Sequence, residues 1–357
     1  MNKFWSDMVK RAEPYVPGEQ LNAPDIIKLN TNENPYPPSP LVKEAILEEL
    51  EGQLRLYPSP TADGLRLAIA ETYDVSKDEV FVGNGSDEVL AFSFMAFFHP
   101  GKPIRFPNIT YSFYPVYAKL FDIPYELVSV NEDFTLRAES FFGSEGGVII
   151  PNPNAPTSLY MELSSIESIL INNPDTVVII DEAYIDFATV SAVELVKTYD
   201  NLLVVQTTSK SRSLAGMRVG YAIGHPDLIE ALVRIKDSVN SYTIDRLAIA
   251  GATAAFKDQE YFDNTVKKIK KTRQRLIQAL EEMGFHVLRS QANFVFASHA
   301  ERAAVELYMQ LKGEGILVRH FNQPDIENYL RISIGTDEQI HSLLSKLEQL
   351  MAVDVQK

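Results

Sequence analysis

Six short apolar runs dominate the first two thirds of the chain: Val80-Phe81-Val82, Ile104-Arg105-Phe106, Val148-Ile149-Ile150, Val177 to Ile180, Leu202 to Val205, and Val219 to Ile223. Most are continuous and rich in β-branched residues, and they alternate with stretches of helical character. Strands without an apolar/polar alternation are buried on both faces, and helices between them supply the cover. The pattern predicts an α/β fold built on a mostly parallel central sheet.

The chain has 357 residues, enough for one large domain and a second lobe. Hydrophobic residues at 45% and charged residues at 23% allow a packed core throughout. Before about Pro40 the sequence is rich in Pro, Asn and Glu and has no clear period, as in Thr31-Asn32-Glu33-Asn34-Pro35. This predicts an extended arm outside the sheet, packed on another surface such as a partner subunit. Three parts follow: an arm over 1–40, a large domain over 41–246 and a smaller C-terminal α/β domain over 247–357. The last is expected to hold a long helix from about Asp258 to Met283, short strands around Phe294 and Ile316, and a final helix.

Composition removes several function classes. With no cysteine there is no disulfide framework, thiolate metal site or cysteine nucleophile. A formal net charge of -15 argues against a nucleic-acid partner, whose phosphates need clustered Lys and Arg. The basic run Lys267 to Lys271, with Arg273 and Arg275, lies in a helical pattern with Ile269, Leu276 and Leu280 and reads as a solvated helix face. The six histidines show no metal-ligand spacing, so no metal is expected. The N-terminal stretch lacks the features of a signal peptide and no run is long enough to span a bilayer, so a cytoplasmic protein without membrane contact is expected.

Ligands of open α/β sheets sit outside the carboxyl ends of the strands. After the run at Val80 comes Gly83-Asn84-Gly85-Ser86-Asp87-Glu88, a glycine-rich turn whose helix start suits a phosphate, or equally a plain cap at Ser86 or Asp87. After the run at Val177 comes Asp181-Glu182-Ala183-Tyr184. A carboxylate at the end of a buried strand is unfavourable unless a cation meets it, and a pyridinium nitrogen is a suitable one; a helix cap is the alternative. After Val205 come Thr207-Thr208-Ser209-Lys210 and then Arg218, hydroxyls and cations fit for a phosphate beside a Schiff-base lysine.

With these motifs in place, the chain resembles the fold-type I pyridoxal-phosphate-dependent aminotransferases, and among them the histidinol-phosphate aminotransferases, over nearly its whole length. The matching stretches are Tyr15 to Gly18, Lys28 to Tyr36, Tyr57-Pro58, Gly83 to Asp87, Pro107 to Tyr111, the Asn-Pro-Asn-Ala-Pro-Thr stretch from Asn152, Asp181 to Tyr184, Ser209-Lys210, Leu214 to Tyr221, and Tyr329 to Thr336. The resemblance implies pyridoxal 5'-phosphate bound covalently by Lys210, which also shuttles the substrate proton. It implies Asp181 on the pyridine nitrogen, Tyr184 on the phenolic oxygen and Tyr111 stacked on the ring. The phosphate is expected among Gly85, Ser86, Thr207, Ser209 and Arg218, with Asp87 also among the cofactor-binding residues and with Tyr57 reaching the phosphate across the interface of a homodimer with shared sites. Arg331 is expected to take the donor carboxylate, with Arg319, Tyr15 and Asn32 around the substrate. Relatives carry Asn directly before Pro-Thr-Gly, but Ala155 stands there and Ser158 ends the motif. Asn154 is therefore expected to supply the amide, with Asn152, or Tyr184 alone, as alternatives.

The activity so implied is transamination between L-histidinol phosphate and 2-oxoglutarate, giving imidazole acetol phosphate and glutamate in histidine biosynthesis. An aromatic or broad-specificity aminotransferase, or a decarboxylase of a phosphorylated amino acid on the same fold, would share Lys210 and Asp181. A non-catalytic aminotransferase-like sensing module usually comes fused to a DNA-binding segment, and none fits here.

Overall fold

The computed structural model describes residues 3–15, 19, 25–51 and 54–353. Val16, Pro17 and Gly18, part of the first motif above, lie outside the described residues. In chain order the described strands are β1 (Ile27–Lys28), β2 (Val80–Gly83), β3 (Ile104–Pro107), β4 (Tyr125–Val128), β5 (Val148–Pro151), β6 (Val178–Asp181), β7 (Leu202–Thr207), β8 (Gly220–Gly224), β9 (Phe285–Val287), β10 (Phe294–His299), β11 (Ile316–Leu317), β12 (Arg319–His320) and β13 (Leu330–Ser333).

Strands β2 to β8 form a seven-stranded sheet in the order β2-β8-β7-β6-β5-β3-β4. The pairs from β4 to β7 are parallel, while β8 runs antiparallel to both β7 and β2. Alternate residues of a strand point to opposite faces. Val178 and Ile180 enter one hydrophobic core while Ile179 enters the other, and Val204 is likewise opposed to Leu203 and Val205. That two-sided burial is why the central strands read as unbroken apolar runs. The edge strand β4 does not read so, because Glu126 and Leu127 are exposed and Glu126 pairs with Arg105 on β3.

A second sheet, β12-β13-β10-β9, is antiparallel and is covered by the helices Gln259–Glu282, Ala304–Gly313 and Asp337–Val353. The arm does not stay clear of strand pairing. Its Ile27 and Lys28 pair in parallel with Ile316 and Leu317, and Leu29 enters the core of the second lobe. The helix Arg246–Lys257 packs the other way, with Ala248, Ala252, Ala255 and Phe256 in the core of the large lobe. We propose the lobe boundary at Asp258 on that ground, rather than at 247. The basic run beyond it is only partly a solvated face: Arg273 is buried, donating through Nη1 to the carbonyls of Phe187 and Ala292, and burial pushes its pKa down to about 10.

The carboxyl ends of β5, β6 and β7 meet at Pro151, Asp181 and Val205 in neighbouring register. The start of the helix Gly85–Phe97 is brought beside them through β8. There Gly220 is required, since a Cβ on it would lie 2.2 Å from the Ser86 nitrogen and 2.3 Å from the Gly85 carbonyl carbon. Gly220→Ala is therefore expected to push the helix start off the sheet and to lower stability by about 1–3 kcal/mol, the usual range for overpacking. Urea unfolding of the two proteins in parallel checks this.

Candidate active site

A cavity of about 290 Å³ opens where these strand ends and the helix start converge. Ser86, Asp87, Tyr111, Asp181, Tyr184, Thr207, Ser209, Lys210 and Arg218 line it, together with Thr31, Glu33 and Ala155. These side chains come from seven separate stretches of sequence.

Asp181 sits at its base, 5% exposed. Its Oδ2 accepts a hydrogen bond from the Tyr114 hydroxyl at 2.8 Å, while its Oδ1, equally buried, has no partner. Burial pushes the carboxyl pKa up to about 6, against the opposing pull of the Tyr114 hydroxyl and of the nearby Ala183 N–H. An acceptor left bare in this way is unfavourable until a donor arrives. Tyr114 carries no signal in the sequence beyond its place one turn after Tyr111.

On the opposite side Asp87 is shared. Its Oδ1 accepts from the Tyr111 hydroxyl at 2.7 Å, and its Oδ2 accepts from Arg218 Nη2 at 3.0 Å. Burial and the Asp87 carboxylate hold the Tyr111 hydroxyl well above its usual pKa, so it stays protonated. Arg218 lies against the helix start so closely that a Cβ on Gly85 would fall 2.5 Å from Nη2. Thr207 Oγ1 donates to Ser209 Oγ at 3.0 Å, completing a cluster of hydroxyls, helix N–H groups and a guanidinium. That is the donor set of a phosphate site.

Lys210 Nζ donates to the Thr31 carbonyl at 3.3 Å and lies 5.8 Å from the centre of the Tyr184 ring. Asn34 Nδ2 holds the backbone carbonyls of both Lys210 and Ser211, at 3.0 and 3.1 Å. The motif containing Asn34 was visible in the sequence, but this contact between distant segments was not.

Other expected residues lie outside the cavity lining. Asn154 is buried, and its amide hydrogens go to the Ile109 carbonyl and Thr157 Oγ1, so it does not present a donor to the cavity. Asn152 is tied to both backbone groups of Met161. Asn32 is held inside the protein and donates to the Tyr184 hydroxyl instead of closing over the cavity. Tyr15 packs at a tilt against Phe113, next to Tyr111. Arg331 and Arg319 face each other across β12 and β13, and both lie over Phe321. Arg331 donates through Nη2 to the Asn30 carbonyl while its buried Nε has no partner. Burial lowers the pKa of Arg331, and Arg319 adds to that. Tyr57 is 79% exposed and stacks on Tyr242, away from the cavity of its own chain.

The family model for aminotransferase class I and II matches residues 24–347. The chain is 60% identical to histidinol-phosphate aminotransferase 1 of Oceanobacillus iheyensis, over 98% of this chain and 99% of that one. It is 57% identical to the histidinol-phosphate aminotransferase of Clostridium acetobutylicum, over 99% and 100%. The chain belongs to the class I and II aminotransferases. Its fold matches that of a Sinorhizobium meliloti histidinol-phosphate aminotransferase solved with pyridoxal-5'-phosphate, with a TM-score of 0.86 and 21% identity, over 99% of both chains.

The cofactor of this transaminase is pyridoxal phosphate, and the cavity fits it on its own terms. The bare Oδ1 of Asp181 suits a protonated ring nitrogen, and the cluster at Ser86, Thr207, Ser209 and Arg218 suits its phosphate. The same bare oxygen gives a test without turnover. The Asp181 pKa rises from 3.8 to about 6 on folding, so the folded protein keeps a proton that the unfolded chain has lost between those values. Stability of the cofactor-free protein then falls as pH rises through that window, by about 3 kcal/mol in total. Cofactor-free Asp181→Asn lacks this loss and is expected to melt higher than the parent at pH 7.5, with the gap closing towards pH 4. Thermal unfolding across pH, with and without pyridoxal phosphate, checks this; adding cofactor should favour the parent.

Proposed function

We propose that this aminotransferase transfers an amino group from L-histidinol phosphate to 2-oxoglutarate, giving imidazole acetol phosphate and glutamate in histidine biosynthesis. The observation that carries the chemistry is the bare carboxylate oxygen of Asp181 in one cavity with Lys210 and a phosphate-type cradle. The two relatives at 60% and 57% identity support the choice of substrate.

When bound, pyridoxal phosphate supplies an electron sink for the charge left on the substrate carbon. Lys210 would hold it covalently, and its amine is the group placed to take up and deliver the proton lost from the substrate carbon. Asp181 would keep the ring nitrogen protonated, Tyr111 would cover the ring, and Tyr184 would donate to the phenolic oxygen. Ser86, Thr207, Ser209 and Arg218 anchor the phosphate, with Gly85 allowing the close approach of Arg218. Arg331, with Arg319 beside it, receives the phosphate ester of one substrate and the carboxylate of the other in turn, because a guanidinium fork fits both. Tyr15 closes the substrate side next to Tyr111.

The working form is a cytoplasmic homodimer with shared sites. Tyr57 is bare in one chain, and Leu47, Leu50, Leu54 and Leu56 near it expose apolar surface that a second copy would cover. Tyr57 then serves the phosphate of the neighbouring subunit. No helix among the described residues is long and apolar enough to cross a membrane.

Purified protein is expected to turn over histidinol phosphate with 2-oxoglutarate about a hundredfold more efficiently than phenylalanine, the worth of the charge-assisted bonds lost with the phosphate. Comparable kcat/KM values would favour a broad-specificity aminotransferase. Lys210→Ala is expected to abolish turnover while the phosphate and ring contacts retain non-covalent binding. Scrambled dimers of Lys210→Ala with a chain carrying Tyr57→Phe and a second lesion in the same exposed segment should recover about a quarter of the activity. Random pairing makes about half the dimers mixed, each with one intact site.

A further inference from the structure

Asn32 is 1% exposed and sits at φ 54°, a left-handed conformation that Asn adopts more readily than most residues. Its polar groups are all engaged. Its N–H donates to Ser333 Oγ at 2.9 Å, its carbonyl accepts from Asn293 Nδ2 at 3.0 Å, and its Oδ1 accepts from Ser333 Oγ at 3.0 Å. The hydroxyl on Oδ1 fixes which way the amide faces. Its Nδ2 is thereby aimed at the Tyr184 hydroxyl oxygen, 3.0 Å away.

A phenol has one proton to give, and the direction of that proton depends on what already occupies its oxygen. With Asn32 donating to it, the Tyr184 oxygen acts as acceptor on the buried side, and its own proton is left for the cavity that Tyr184 lines. Phe294, edge-on to the Tyr184 ring at 5.0 Å, fixes the ring itself. The wall beside it is apolar: Ala155, Ala292 and Phe294 pack together against Tyr184. The amides nearest to Ala155, on Asn152 and Asn154, are spent on Met161, Ile109 and Thr157.

We infer that Asn32 is a positioning residue: it orients the Tyr184 hydroxyl as the donor to the cofactor's phenolic oxygen, a task that no amide at position 155 shares. This rests on the cofactor chemistry proposed above and adds a part to it that lies outside the cavity lining.

The readout is the pH midpoint of the visible absorption change of the loaded protein. Loss of the proton shared between the lysine-linked nitrogen and the phenolic oxygen leaves more negative charge on that oxygen. A donor there favours the deprotonated form and lowers the midpoint. Asn32→Gly keeps the left-handed backbone accessible and removes the amide. It is expected to raise the midpoint by about half to one pH unit, the worth of one hydrogen bond. In a Tyr184→Phe background, where the midpoint is already raised, it should add nothing. An equal rise in both backgrounds, or no rise in either, overturns the inference. If Asn32→Gly does not fold, Asn32→Asp keeps the size and the acceptor for Ser333 while replacing the donor. Its rise must then be larger with Tyr184 present than with Tyr184→Phe, since its charge acts in both, and equal rises overturn the inference again. Parent protein that shows no cofactor band, or whose midpoint is unmoved by Tyr184→Phe, overturns the underlying reading of the site, and does so before Asn32 is altered.

Discussion

The arrangement turns on one unmet hydrogen bond, at Oδ1 of Asp181. β6 ends there, in a stretch buried on both faces, and the next residue, Glu182, is buried as well. Tyr114 satisfies only one Asp181 oxygen. Removing an ionised carboxylate from water is unfavourable by several kcal/mol unless a cation or several donors compensate. At neutral pH the protein therefore carries an unfavourable feature that a ligand with a cationic donor would relieve, and this couples folding of the lobe to occupancy of the cavity. The same burial that raises the Asp181 pKa would make the proposed pairing with a ring nitrogen strong.

Around that point the arm acts as a seam between the two lobes. Between residues 30 and 34 it meets three of the expected site residues: the Asn30 carbonyl accepts from Arg331, the Thr31 carbonyl accepts from Lys210, Asn32 donates to Tyr184, and Asn34 holds the Lys210 backbone. Strand pairing at Ile27 and Lys28 and burial of Leu29 anchor the arm on the second lobe just before this stretch. A shift of the second lobe would therefore be felt at Lys210 and Tyr184 through the arm. Arg273 adds a second tie, from the long helix of that lobe to the carbonyls of Phe187, three residues beyond Tyr184, and of Ala292, which packs against Tyr184.

What could be read from the sequence follows from which interactions are local. The central strands were legible because burial on both faces leaves no room for polar residues, and Asp181 and Lys210 stood out as polar groups just beyond such runs. The edge strand β4 was not, because one side of it meets water. Tyr114, Asn34 and the contact of Asn32 with Tyr184 depend on chain segments tens to hundreds of residues apart, which no local pattern encodes. Arg273 looked like its solvated neighbours because a helix face is set by packing at each position, and Thr272 and Arg273 turn inward where Lys271 does not. Asn154 was a reasonable substitute for a missing amide by spacing alone, but its hydrogens were already taken by Ile109 and Thr157.

The cations of the site are also unequal in a way that sorts anions. Arg218 is already paired with Asp87, so the phosphate cradle offers directional donors on a locally balanced charge. Arg319 and Arg331 are opposed across two strands with aromatic rings around them, and no carboxylate pairs with either among the described residues. Like charges directly opposite on a sheet are destabilising, and a buried guanidinium nitrogen without a partner adds to this. In a chain with a net charge of -15 such a pair is not a product of composition. An anion bridging the pair, as proposed above for the substrates, would relieve it, and could be exchanged because Arg331 is held by backbone and ring contacts of its own. A site that must accept a phosphate ester and then a carboxylate needs this property: strong attraction for negative charge, with no built-in partner of fixed shape.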